Sequence, residues 1–583
     1  MRSTAGGNSS SSPLRYALIR LSLALLIIAL ANIAGYFFYQ RFDLTSEKRY
    51  SLSPSTKKMM RGLKDVVTVK VYLAGDLNAG FTRLRESVRH TLDALRAYGG
   101  SNIQYTFIDP MAVENLDERK ALITDLINRG IKPTNLTTVS NSDSKEQLIF
   151  PGATVAYGGR EMPVQLLENQ IGYSPVEIIN NSIILLEYKF ANAIKKLTQY
   201  RPPRIGFLRG HGELSEIELA DIKQTLQQLH YEVKDFDITQ NYYIPDRFDA
   251  IVIAKPRFSF LNPVKDKEEI HKFKIDQYIM RGGKVLWLID GTNATMDSLR
   301  GNPTGQVVMA NELGLEDMLF KYGVRINNDI LQDINLNLPI PLVVGQMGNA
   351  PQTRMFSWYY FPLLVSDNTH PISRNLDPVA AFFASSIDTI KKAGIRKTIL
   401  LHTTQNAKAQ LTPSRVHFGI LQGKPNPAYY NQSELPVAVL LEGKFESCYK
   451  NRMRTEYLAA TDTIEQLRFI DQSPETKMIV ISDGDIIRNE VRSDSTAFPL
   501  GYYPYTRQQF ANKDFILNCI EYLTDNSGII ETRNKEVKLR LLDHLKAGEQ
   551  KLRWQLINVA APILLIVAAG FVWNWWRKKT YVR

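Results

Sequence analysis

Five residues stand where an α/β protein places its chemistry. His211 and Glu213 lie in RGHGELSE, Asp290 follows VLWLI, and Asp483 and Asp485 lie in ISDGDIIRNE. Each follows a short apolar run of strand type, and in open α/β sheets ligands bind beyond the carboxyl ends of the strands. A histidine among carboxylates could hold a cation or a sugar. A His211/Asp290/Asp483 crevice could also serve a tethered hydrolase or transferase. The competing role is local: Asp and Glu at such positions cap helices and satisfy loop amides. The glycines around His211 could cradle an anion on backbone amides, or simply turn the chain. Enzyme signatures are missing. There is no Gly-x-Ser/Cys-x-Gly elbow for a nucleophile, no phosphate-binding Gly-x-x-x-x-Gly-Lys-Ser/Thr loop and no His-Glu-x-x-His. The expectation is therefore a non-enzyme with no cofactor and no bound metal.

The elements that would carry these residues alternate between strand and helix. Ile205–Leu208 is a short buried strand. Ser215 and Glu218 then fit a capping box for a helix whose apolar face is Leu219, Ile222, Leu226 and Leu229. Tyr231–Phe236 and Ala250–Ala254 read as strands, 267–281 as a helix ending at Gly282 and Gly283, and Val285–Ile289 as a strand. Thr398–Leu401, Val437–Leu441 and Met478–Ile481 extend the set, and a helix near 514–523 closes it. The alternation predicts a parallel sheet with helices on both faces, of flavodoxin or amidotransferase type, over 201–530. An insertion at about 300–390 includes FSWYYFPLL, either a patch for a partner or core packing.

Upstream, Ser53 and Pro54 open a helix to about Leu63. Val66–Tyr72 alternates as a strand, Arg83–Tyr98 is amphipathic, and Ile103, Tyr105 and Phe107 alternate again, which makes a β-α-β unit. A helix near 116–128 and a hairpin turning at Gly158 and Gly159 follow. This order, over 40–200, resembles a thioredoxin-like domain without its Cys-x-x-Cys. Pro175–Leu197 reads as one long helix that ends before Arg201, Pro202, Pro203 and Arg204.

Both ends are apolar. Ile557–Trp576 is an uncharged run of about 20 residues, roughly 30 Å of helix and one hydrocarbon core. Trp573, Trp575 and Trp576 collect at its edge, followed by Arg577, Lys578 and Lys579. Tyr16–Tyr39 is a second run of spanning length, read as an uncleaved anchor. The expected order is a cytoplasmic tail (1–15), a first span (16–39), the two α/β domains, a charged amphipathic helix (531–553), a second span (554–576) and a cytoplasmic tail (577–583). Basic tails without acids place both termini in the cytoplasm and the bulk in the periplasm, a two-pass protein of the bacterial inner membrane.

The chain has 583 residues, 44% hydrophobic and 22% charged, with a formal net charge of +12. Part of that charge flanks the spans, where it would meet anionic membrane lipid. No basic run with interleaved aromatics occurs, so nucleic acid is not an expected partner. Two cysteines, Cys448 and Cys519, exclude a disulfide scaffold and leave a single bridge open.

The stretches KRYSLSPSTKKMMRGLKDVVTVKVYLAGDLNAGFTRLRESVRHTLDALRAY, FIDP, RIGFLRGHGELSE, SWYYFPLL, HPISRNLDPV, ISDGDIIRNE and WQLINVAAPILLIV together resemble the GldG family, in order along nearly the whole chain. The resemblance implies an accessory, substrate-binding subunit of an ABC transporter associated with gliding motility. It implies a polytopic GldF-like permease and a cytoplasmic GldA-like ATPase as partners. It also implies an α/β domain similar to one in intraflagellar-transport proteins, and it supplies no catalytic residues.

Overall fold

Alternation of side chains along the strands of the large domain resolves into two separate cores. Ile205 and Phe207, Val252 and Ala254, Leu286 and Leu288, and Ile479 and Ile481 pack on one face of a sheet. Leu208, Ile251 and Ile253, Val285 and Trp287, and Met478 and Val480 pack on the other. A strand buried on both faces must be apolar at every position, hence the unbroken runs AIVIA and VLWL. This arrangement comes from a computed structural model, which describes residues 13–37, 51–140, 143–168, 173–261, 269–302, 304–347, 350–452, 468–492, 494, 496–534, 548 and 550–581.

The N-terminal strands Val67–Val71 (β1), Ile103–Phe107 (β2), Gly152–Tyr157 (β3) and Arg160–Gln165 (β4) form a sheet in the order β2-β1-β3-β4. β1 and β2 are parallel, joined by the helix Ala79–Gly99, and β3 runs antiparallel to β1. Ser53 caps the helix Pro54–Arg61, its side chain accepting from the Thr56 amide. A further antiparallel ribbon, Thr134–Ser140 with Asp143–Ile149, had no period-2 signal in its polar sequence. The expected helix 175–197 is two helices, Pro175–Ile184 and Leu186–Thr198, meeting at Leu185.

The large sheet contains Arg204–Arg209 (β5), Glu232–Asp237 (β6), Ala250–Ala254 (β7) and Val285–Leu288 (β8). After the long excursion it is completed by Ile395–His402 (β11), Pro436–Glu446 (β12) and Gln472–Ile481 (β13). The order is β11-β12-β13-β8-β7-β5-β6. From β13 to β6 neighbouring strands are parallel, but β12 is antiparallel to both β11 and β13. The sheet is therefore mixed, where the sequence pattern suggested a parallel one. The described segments between β11, β12 and β13 hold no α-helix, and an antiparallel neighbour needs no helical crossover. Ala220–Gln228 and Asn512–Thr524 cover one face, and Ile270–Met280 and Glu316–Tyr322 cover the other.

The excursion contains two long paired strands, Asn337–Met347 (β9) and Ala350–Leu364 (β10). Trp358, Tyr360 and Phe361 are buried with Leu338 and Ile340 in a separate cluster, so the aromatic stretch packs a core. Cys448 and Cys519 are free and buried on opposite faces of the large sheet.

Residues 536–583 form a unit distinct from 1–535. Its helix Lys551–Tyr581 runs through Pro562 and is the one described helix long and apolar enough to cross a membrane. Near the other end, the helix Pro13–Phe37 carries a shorter apolar stretch, Leu18–Leu30, whose side chains are exposed. The charged helix expected over 531–553 falls largely outside the described residues.

Candidate functional site

Three of the five strand-end residues come together, and a residue that the sequence reading did not single out joins them. Lys255 follows β7 with φ +55°, a left-handed conformation uncommon for a residue with a side chain. Its amide donates to the carbonyl of Leu288 at 2.9 Å, which extends the β7–β8 pairing by one bond. Its side chain is buried, and its ammonium lies 3.0 Å from Asp290 Oδ2 and also pairs with Asp485. Gly484 allows this approach: a Cβ there would lie 2.5 Å from that of Lys255.

The carboxylates are tied to backbone as well. Asp290 Oδ1 accepts from the Gly484 amide at 2.6 Å. Asp483 accepts from the Asp485 amide at 2.8 Å and from the Phe382 amide at 2.6 Å. Arg488 completes the network, 3.2 Å from Asp485 Oδ1 and 3.2 Å from Glu218. Glu218 in turn accepts from the amide and hydroxyl of Ser215, which keeps the expected Ser215–Glu218 contact. It does so at the entry to a 3₁₀ turn, Ile217–Leu219, rather than directly at the α-helix.

Burial and charge set the protonation tendencies. Burial, reinforced by the Asp485 and Asp290 charges, pushes the Asp483 carboxyl well above the usual range. Burial also raises Asp290 against the pull of Lys255. Burial opposes ionisation of Asp485, but Lys255 and Arg488 outweigh it and lower its pKa. Burial works against the charge on Lys255, but Asp485 and Asp290 together outweigh it and raise its pKa. Three acids facing two permanent cations, with the deepest acid favouring its neutral form, make a compensated ionic network.

His211 and Glu213 form a separate group. Gly210 and Gly212, with φ of +123° and +71°, swing His211 onto the Phe260 ring, with centroids 3.7 Å apart. Its Nε2 lies 3.0 Å from Nδ1 of His271, and its carbonyl accepts from the amides of Arg257 and Phe258. Burial first, then His271, lowers His211 to about 4, and burial lowers His271. Glu213 Oε2 accepts from the His211 amide at 2.9 Å. The anion held by this glycine-rich loop is thus the chain's own Glu213. Burial raises its pKa, against the loop amides and Arg209.

Lys255, Arg488 and His271 escaped the sequence reading. Lys255 in AKPRF reads as an ordinary surface lysine, and its partners are far away in sequence. Its place one residue past a wholly apolar strand was the single available hint. Among the described residues no group of three His, Cys, Asp or Glu side chains is arranged to hold a metal. A cavity of about 470 Å³ opens elsewhere, beside Phe320, Lys321, Arg325 and Lys392. Lys321 is paired with Glu446 and Arg325 with Asp388.

A doubly covered mixed sheet with its strand-end charges paired internally, in a chain carrying one described helix long and apolar enough to cross a membrane, defines an α/β protein with a candidate span. Residues 202–519 match the profile of the ABC transporter auxiliary family, described as an ABC-type uncharacterized transport system, and the chain belongs to that family. Residues 46–156 match a domain of unknown function, DUF7088. No curated protein matches. A solved structure described as the mmIFT52 N-terminal domain is similar at 14% identity, covering 55% of this chain and 98% of that chain, with a TM-score of 0.29. The family supports an accessory role in an ABC transport system, alongside ABC transporter components and in association with the membrane.

Proposed function

We propose that the chain is a GldG-like, non-catalytic subunit of an ABC transporter, anchored at both ends with its α/β domains outside the cytoplasmic membrane. In this role it docks on a GldF-like permease, with a GldA-like ATPase on the cytoplasmic side, and binds substrate or gates the permease. The N-terminal sheet, with strand order β2-β1-β3-β4, is read as a thioredoxin-like binding domain. The observation that carries the proposal is the compensated network of Lys255, Asp290, Asp483, Asp485 and Arg488 in a member of an ABC transport family. A general base must hold an atom within hydrogen-bond reach of the substrate proton it takes. Here Asp290 and Asp485 are bound to Lys255, and both oxygens of Asp483 accept backbone amides. His211 lies against His271 and Phe260 instead of completing a triad.

Tethering at two points would fix the orientation of the outer body and raise its effective concentration at one membrane partner. Purification of the native complex in mild detergent tests the reading. A polytopic permease and an ATPase should accompany the chain in fixed ratio. Recovery of the chain alone under those conditions overturns the proposal.

A further inference from the structure

At the end of the large sheet opposite the Lys255 network, two lysines stand side by side without acidic partners. Lys284 precedes β8 and Lys477 lies in β13, and the residues that follow them, Val285 and Met478, pair in parallel register. The two lysines are therefore neighbours across the sheet, with backbones about 5 Å apart. Both reach the turn that follows the helix Asn512–Thr524. The Lys284 ammonium donates to Asn526 Oδ1 at 3.0 Å, and the Lys477 ammonium donates to the Asp525 carbonyl at 3.4 Å. Lys477 also lies 4.1 Å from the centre of the Tyr522 ring. Lys195, on the helix Leu186–Thr198, reaches the same turn and pairs with Asp525 Oδ1 at 2.8 Å. The nearby acids are committed elsewhere. The Asp525 carboxylate accepts from Lys195, from the amide and hydroxyl of Ser527 and from the Ile530 amide. Glu442, opposite Lys477 on β12, holds Arg396 and the Tyr522 hydroxyl. Asp249 accepts from the Arg204 amide and pairs with Arg201.

Among the described residues, Lys284 and Lys477 thus donate only to neutral acceptors. Like charges side by side on neighbouring strands are destabilising. Burial first, then the charge of Lys284, lowers Lys477 to about 8, and burial lowers Lys284. An anion held between the two ammonium groups would offset both effects. We propose that Lys284 and Lys477 form a binding site for a phosphate group. Two ammonium groups match the double charge of a phosphate monoester at neutral pH, and lysine binds phosphate as a point charge. Asn526, exposed beside them, offers a side-chain N–H as a further donor. Both lysines are half-buried, which suits a compact oxyanion better than the broad face of a protein. A soluble phosphate compound and a lipid headgroup present this same chemistry.

The test is competitive acetylation of the full chain in detergent at pH 8, read residue by residue by mass spectrometry. Inorganic phosphate should slow labelling of Lys477 by about fivefold, because an anion stabilises the ammonium form, which does not acylate. Exposed Lys70 and Lys234 should be unaffected, and potassium chloride at matched ionic strength should protect none of them. Dihexanoyl phosphatidic acid is the second probe: protection by it alone makes the ligand a lipid headgroup, and protection by inorganic phosphate makes it a soluble one. In parallel, saturating phosphate should raise the thermal midpoint of the unmodified chain by about 2 °C or more. Lys284→Gln and Lys477→Gln should each abolish that rise, and Lys234→Gln should keep it. If either variant fails to fold, the labelling of the unmodified chain decides. Protection of Lys477 by neither probe, equal protection by chloride, or protection only by a co-purified protein overturns the site.

Discussion

At the scale of single residues, the strand-end network contributes through compensation. Removing the cation from a buried pair costs about 3–5 kcal/mol, because the acids left behind remain desolvated. Lys255→Met should therefore lower unfolding stability by about that amount in denaturant titrations, with the backbone conformation of the site left to the same L-residue geometry. A loss below about 1 kcal/mol would mean that Lys255 is solvated and that the network does not exist as described. The histidine pair gives a pH signature. His211 is held at about 4 by burial and His271, against 6.5 for an ordinary imidazole. Its neutral form thus contributes stability that is complete above about pH 6.5 and is lost as the pH falls towards 4, with a slope of at most about 1.4 kcal/mol per pH unit. His370, lowered to about 4 by burial, adds a slope of the same sign. In unfolding curves measured from pH 7 to pH 4.5, His211→Phe should retain the Phe260 stack and show a shallower acid loss than the wild type. An unchanged slope would place His211 in solvent.

At the scale of elements, the large sheet separates two cores, and substitutions in them should act independently. Trp287 is fully buried on one face and Phe515 on the other. Each substitution to Ala should cost about 3–5 kcal/mol, and the double variant should show their sum within about 0.5 kcal/mol. A larger departure would mean that the two faces communicate through the strands. The same elements show what the sequence disclosed. AIVIA and VLWL were legible because a strand covered on both faces is apolar at every position. The helix over 116–128 was legible because Asn115, Asp117 and Glu118 supply an N-terminal cap and first turn. The reversed direction of β12 was not legible, because apolarity is the same for parallel and antiparallel strands. The break at Leu185 was hidden by an unbroken helical period, with neither Gly nor Pro to mark it. The 134–149 ribbon was hidden by polar residues without alternation. For the site, the three aspartates were visible as strand-end acids, but Lys255 was not, since its partners lie across the sheet and not along the chain. The separation of His211 from the aspartates was equally invisible, because both motifs satisfy the same strand-end rule.

At the scale of the whole molecule, the two cysteines make the membrane topology measurable. Cys448 and Cys519 are buried, and burial pushes both thiols above their ordinary range. The thiolate is the reactive form, so the native chain should give almost no background with a maleimide. Tyr200 is wholly exposed between the two α/β domains' sequences, and Thr580 is exposed in the last turn of the long apolar helix. If the helix spans the membrane with its basic end inside, Tyr200→Cys should react with a membrane-impermeant maleimide in intact spheroplasts. Thr580→Cys should react only after the membrane is opened. The Trp573, Trp575 and Trp576 belt and the following Arg577, Lys578 and Lys579 favour that orientation, since cationic flanks are retained on the cytoplasmic side. Removal of residues 551–583 supplies the second half of the argument. With a second anchor at the N-terminal helix, the shortened chain should resist alkaline carbonate extraction, and only loss of both helices should release it. Release after the C-terminal truncation alone would reduce the protein to a single anchor, and labelling of Thr580→Cys in intact spheroplasts would invert it.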